Sequence, residues 1–164
     1  MAHFDSIRQQ KLLLKERLLQ DQDIVNLLVN QGNNIVTFKD YALGSRSPAA
    51  SLIKTHFYVP GTTTIDKNFI TMRSRIIYAD TDVVKEVGIV VYIICNQDQI
   101  DLMQGSRADI LADAVDRILN NEDAPFGIGG ITIGRAEEVQ FIEGYSGWEI
   151  PYVTHEFNRG VDTL

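Results

Sequence analysis

The longest apolar run of the chain is Val87-Gly88-Ile89-Val90-Val91-Tyr92-Ile93-Ile94-Cys95. β-Branched residues dominate it, and no polar side chain interrupts either alternating face, as in a strand covered on both sides. The run therefore predicts a central strand. A polar connector, Asn96 to Gly105, leads to a segment with helical periodicity, Ser106 to Asn121. Ser106 and Asp109 have the spacing of a capping box, and Ile110, Leu111, Ala114, Val115, Ile118 and Leu119 form one stripe. This helix is expected to pack on the sheet. On that reading Leu111→Ala costs about 2–5 kcal/mol as a core cavity, whereas Arg107→Ala is nearly neutral to folding.

At the N-terminus Ser6, with Gln9 three positions on, predicts the cap of a helix running to about Leu19. Phe4, Ile7, Leu14 and Leu18 recur at helical spacing, broken by Lys11, and Leu12, Leu13 and Leu19 widen the apolar surface. The stripe either covers one face of the chain's own sheet or, in part, meets another subunit. Asp21 or Asp23 can cap a second helix, Ile24 to Asn30, which Gly32 would end in the left-handed conformation. Residues 1–32 thus read as a helical hairpin.

From Asn33 to Lys67 periodicity fades. Phe38, Tyr41, Leu43, Leu52, Ile53, Phe57 and Tyr58 stand among Gly44, Ser45, Ser47, Pro48, Pro60 and Gly61. The segment is too apolar for a plain linker. It is either irregular structure or an undetected strand around Thr55 to Val59, or else a long functional arm.

Residues 68–160 read as the sheet and helix core. Phe69 to Tyr78 alternates, with Ile70, Met72, Ile76 and Tyr78 on one side and Thr71, Arg73 and Arg75 on the other. A turn at Asp80-Thr81-Asp82 would join it to the central strand as an antiparallel hairpin. After the helix, a third strand is expected from Ile131 to Ile142 with a bulge or bend at Gly134, and a last strand from Trp148 to Phe157. Pro151 cannot donate to a ladder, which predicts an edge position or a bulge for that strand. The expectation is one α+β domain over residues 1–164, with a largely antiparallel sheet of four or five strands, packed helices and the order ααββαββ.

Composition narrows the function. With 164 residues, 45% of them hydrophobic, the chain can bury a core without a covalent staple. A formal charge of −7 and the lack of a basic run argue against general binding to a nucleic-acid backbone. The single Cys95 excludes an internal disulfide and a cysteine zinc cluster, and its apolar setting predicts an inert core thiol, in keeping with a reducing cytoplasm. Neither a signal peptide nor a membrane span is expected.

The candidates for chemistry are few. Gly127, Gly129, Gly130 and Gly134 follow a helix and enter a strand, the reverse of a phosphate-binding loop. His3, His56 and His155 lack partners at metal spacing, and Asp98 with Asp101 is not a convincing acid-base pair. Asp109, Asp113 and Asp116 fall on the polar helix face, where Asp113 precedes Arg117 by four residues as in a solvated ion pair. Arg73 and Arg75 form a cationic pair on an exposed sheet face. No catalytic, cofactor-binding or metal-binding residue is assigned, and the chain does not read as an enzyme.

From Phe69 to Phe157 the order of features resembles the tail terminator or neck proteins of long-tailed bacteriophages. The features are the strand Val87 to Cys95, the helix Arg107 to Asn120, the glycine-rich entry Gly127-Ile128-Gly129-Gly130-Ile131-Thr132-Ile133, and the closing strand Trp148 to Phe157. The resemblance implies a structural virion subunit assembled in a bacterial host cytoplasm. Such a subunit closes into a homo-oligomeric ring, typically of six, which caps the tail tube and joins it to the head. Implied partners are the tail tube protein and head-completion or connector proteins, with no specific nucleic acid sequence and no membrane. A head-completion protein is the alternative in the same class; a small bacterial ligand-binding or regulatory domain is the alternative in another, with a hydrolase of hidden site behind it. The segment Asn33 to Lys67 has no counterpart in the pattern. In a ring its apolar groups would be covered by a neighbour, so the expected contact residues are Leu52, Ile53, Phe57, Tyr58, Arg73 and Arg75. The segment would be mobile in a free monomer, and deleting Leu43 to His56 would leave a folded monomer unable to assemble.

Overall fold

The apolar run from Val87 to Ile94 lies inside a sheet and is paired on both sides. The computed structural model describes residues 3–61, 67–78, 84–120 and 128–157. Along them run α1 (His3–Leu19), α2 (Gln22–Val29), β1 (Ile53–Lys54), β2 (Phe69–Tyr78), β3 (Val84–Asn96), β4 (Asp101–Leu102), β5 (Gly105–Ser106), α3 (Arg107–Leu119), β6 (Ile128–Ile133), β7 (Glu137–Ile142) and β8 (Tyr145–Phe157). The fold is α+β. Its main sheet has the order β1-β2-β3-β8-β6, with β7 also paired to β8. The sheet is mixed: β1 runs parallel to β2, with the Ile70 N–H donating to the Leu52 carbonyl at 3.0 Å, while the pairings of β2 with β3 and of β8 with β3, β6 and β7 are antiparallel. The expected order ααββαββ is corrected in three places, one of them the short β4-β5 pair between β3 and α3. A two-residue strand precedes the hairpin, and the expected third strand is two strands, β6 and β7, separated at Gly134-Arg135-Ala136. The turn at Asp80 to Asp82 and the helix exit at Asn121 to Gly127 lie outside the described residues.

Alternation along β3 sets the two faces. Ile89, Val91, Ile93 and Cys95 share a face with their cross-strand partners Tyr152, Ile150 and Trp148. The helices cover this face. Trp148 donates its indole N–H to Asp109 at 2.7 Å, and the Tyr152 hydroxyl donates to Asp116 at 3.1 Å, pinning α3 across the sheet. Burial and the neighbouring Asp116 carboxylate raise the Tyr152 pKa, so that hydroxyl stays a donor. Leu111, Ala114, Val115 and Leu119 are buried beneath, and burial pushes the Cys95 thiol up to about 12, which leaves it inert. Since Leu111 is fully buried, Leu111→Ala is expected to lower the unfolding free energy by about 2–5 kcal/mol. A denaturant melt that moves by less than about 0.5 kcal/mol would place this row of α3 wrongly.

The caps depart from expectation in instructive ways. Ser6 lies inside α1, which starts at His3, and Gln9 bonds instead to Asp5 at 2.9 Å. Asp21 does cap α2, accepting from the Ile24 N–H at 3.0 Å. Gly32 is not left-handed; α2 closes on Asn30, whose N–H donates to the Asn26 carbonyl at 3.0 Å. Ser106 occupies the cap of α3 but its side chain makes no capping bond, and the Asp109 carboxylate accepts from Trp148. Arg117 does not pair with Asp113 but reaches Asp23 at 3.3 Å and Asp21 at 3.8 Å.

Arg107 overturns the expectation of a neutral surface side chain. It is fully buried, and its guanidinium donates to four main-chain carbonyls: Gln99 at 2.9 Å, Asn30 at 2.9 Å, Gly32 at 2.8 Å, and Leu27 at short range. Its carbon lies 5.4 Å from the Phe38 ring centroid. The Leu27 carbonyl belongs to the last turn of α2, where the helix leaves acceptors unmet and favours a cation. A side chain from α3 thus caps α2 and ties it to the connector after β3.

For Pro151 the edge alternative is corrected, and the ladder is instead interrupted opposite it. β8 is interior, paired to β3 along its whole length and to β6 and β7 on its other side. The Pro151 carbonyl accepts from the Gly134 N–H at 2.7 Å. In an antiparallel strand a residue's N and C=O point to the same neighbour, so the missing Pro151 N–H faces the break between β6 and β7.

The segment from Asn33 to Gly61 packs against the chain's own core. Turns of 3-10 helix at Ile35–Thr37, Gly44–Arg46 and Pro48–Ser51 lead into β1, and Ala49, Leu52 and Ile53 enter the hydrophobic core. Deleting Leu43 to His56 would therefore remove core residues and unfold the chain rather than spare a monomer. The strand expected around Thr55 to Val59 is displaced to Ile53–Lys54.

Candidate functional site

The second face of the sheet, away from the helices, carries the most distinctive surface chemistry. Tyr92 lies at its centre, directly opposite Thr71 of β2 and Glu149 of β8. The chain beyond β1 crosses to this side and lays Phe57 edge-on against Tyr92, with centroids 4.7 Å apart, while Phe141 of β7 approaches the same ring at 5.9 Å. Tyr58 packs on Phe69 at 5.2 Å with the Lys54 ammonium 5.5 Å from the Tyr58 ring centroid. Edge-on aromatic pairs of this kind hold their geometry with little loss of side-chain freedom.

Charge rims the aromatic patch. The Tyr92 hydroxyl donates to Glu149 at 3.3 Å, and Arg75 stands 4.0 Å from the same carboxylate. Burial and then the Glu149 charge raise the Tyr92 pKa, which Arg73 partly opposes. The phenol is thus a fixed donor at neutral pH. Arg73 and Arg75 are exposed, as their parity predicts, and Phe57 keeps 46% of its surface.

Of the six expected contact residues, Phe57, Tyr58, Arg73 and Arg75 come together on this face. Leu52 and Ile53 do not, since the chain's own core buries them and leaves them nothing to offer a neighbour. Tyr92, Glu149 and Phe141 are members of the site that the sequence reading missed. Their signal was Tyr92 itself, a lone hydroxyl in the otherwise apolar run from Val87 to Cys95.

A hollow of about 230 Å³ under Trp148, lined also by Ile100, Ser106, Ala108 and Gln140, has Glu138 as its one ionisable side chain among the described residues. His56 and His155 are exposed, and among the described residues no group of three His, Cys, Asp or Glu is placed to hold a metal ion. No described helix is long and apolar enough to cross a membrane.

A family model named YomW matches residues 21–154. The chain belongs to the YomW family. The matched span begins at the cap of α2 and ends in β8, so it takes in Arg107 with all its acceptors and the whole aromatic face. No curated protein and no solved structure matches the chain.

Proposed function

We propose that the chain is a structural, ring-forming virion subunit of the neck, acting as a tail terminator, and not an enzyme. The observation that carries this is the face on which the exposed Phe57, Arg73 and Arg75 and the half-buried Glu149 surround the buried Tyr92 ring, a patch rimmed by charge with no convergent reactive groups among the described residues. Surfaces of that composition serve protein contacts. The resemblance over Phe69 to Phe157 supplies the partners: further copies of the chain, the tail tube and the head connector. The sheet supports the same reading, because its side chains form one continuous core with the helices and, among the described residues, no strand pairs with either outer edge.

The test is to mix the purified protein with tail tubes assembled from a purified tail tube protein of a long-tailed bacteriophage and to view the mixture by negative-stain electron microscopy. The expected result is a cap on one end of each tube. Attachment to the portal of tailless heads instead would make it a head-completion protein. Binding to neither would overturn the neck assignment.

A further inference from the structure

Among the described residues, no strand pairs with either outer edge of the sheet, and the two edges carry opposite charge. On one side, β1 pairs only with Ile70 and Thr71 of β2. Ile70 directs its N–H outward to Leu52, so Ser74 and Ile76, which share its parity, direct their backbone groups the same way. Among the described residues no strand receives them. β2 contains Arg73 and Arg75 and no acidic residue. On the other side, β7 pairs with β8 alone; it contains Glu137 and Glu138 and no basic residue, and Glu143 follows it.

The charges also match face by face. Glu137 lies opposite Glu149 and so shares the aromatic face with Arg73 and Arg75. Glu138 lies opposite Trp148, on the helix-covered face, where Lys11 and Arg8 of α1 line a hollow with Ser74 of β2. The ion pairs these groups make within one chain are exposed: Arg75 is 4.0 Å from Glu149, and Glu137 is 2.8 Å from Arg135. Exposed pairs are weak enough to be exchanged for a neighbour's.

We infer that the open edge of β2 docks on the open edge of β7 of a second copy, continuing the sheet from subunit to subunit. This rests on the ring reading and names its contact. Open edges invite pairing, and proteins usually blunt them with charge. Here the charge selects instead: β2 against β2 sets arginine against arginine, β7 against β7 sets glutamate against glutamate, and only β2 against β7 is complementary. A contact between two different patches is head to tail, which closes into a ring when the rotation permits.

The test uses two variants of the full chain, Arg73→Glu/Arg75→Glu and Glu137→Lys/Glu138→Lys, with light-scattering mass at low and high salt. The wild type is expected to associate, and to do so less as salt screens the edges. Each variant alone is expected to associate at least about a hundredfold more weakly, because every contact becomes like against like. Mixed one to one, the variants regain association, since each edge again meets its opposite. That recovery cannot come from misfolded chains. If either variant does not fold, Ser74→Cys and Gln140→Cys chains mixed with a short bis-maleimide replace them; Cys95 is buried and stays silent. Crosslinks between the two cysteine variants are expected. Wild-type assembly that survives both reversals, or cysteine variants that assemble without crosslinking, overturns the edge pairing and leaves the ring reading intact. A wild-type chain that stays single at every concentration overturns both.

Discussion

Arg107→Ala is expected to lower the melting temperature by about 8–16 °C, from a loss of about 4 kcal/mol in a chain of this size. The substitution strips donors from four main-chain carbonyls at once and leaves a large void where α2, α3 and the connector meet. A buried acceptor left unmet costs about 1–3 kcal/mol, and water entering the void recovers only part of that. Arg107→Lys should recover little, because an ammonium on a flexible stem cannot reproduce the planar fork that meets carbonyls in different directions. Arg117→Ala is the control. That side chain is exposed and pairs with Asp21 and Asp23 at the surface, so its loss should stay under about 1 kcal/mol. Equal, small shifts for Arg107→Ala and Arg117→Ala in thermal melts would mean that the buried fork does not hold the helices.

Gly147→Ala should be at least as damaging, through a clash rather than a void. Gly147 pairs with Ile94 in the central ladder. A Cβ there would overlap the Ile93 carbonyl oxygen and lie 2.8 Å from its carbon, and both atoms belong to the backbone. Relief requires β3 and β8 to separate where the sheet is most deeply buried, so the expected loss exceeds about 4 kcal/mol, expressed as insoluble protein or a collapsed melt. Gly134→Ala provides the scale. Its added methyl would meet the Pro151 ring at 3.1 Å, at the break between β6 and β7, where a small shift suffices. A Gly147→Ala protein that melts like Gly134→Ala would contradict the close approach of the two central strands.

The long periodic elements were legible in the sequence because burial enforces their pattern. The run from Val87 to Cys95 emerged as the central strand, and Leu111, Val115 and Leu119 as the buried row of α3. Arg107 was misjudged by residue type, although it stands four positions before Leu111 on that same row. Its burial depends on carbonyls from Leu27 to Gly32, which no local pattern around residue 107 reveals. β1 is two residues long, too short for alternation to register, so the parallel pairing and the burial of Leu52 and Ile53 were out of reach. Pro151 was read correctly as unable to donate, but its location depended on a break in the neighbouring strand that only the register exposes. The site was half legible. Alternation exposed Arg73 and Arg75, whereas Tyr92, Glu149 and Glu137 join them only through the pairing of β3, β8 and β7.

The central claim is that this chain is a ring subunit, and its molar mass in solution tests that most directly. Light scattering on the untagged protein, at concentrations from about 1 µM to 1 mM, should give a discrete closed assembly with a central opening in electron micrographs. Six copies of the 18.4 kDa chain would weigh about 110 kDa. A mass that stays at 18.4 kDa across the whole range would contradict the account.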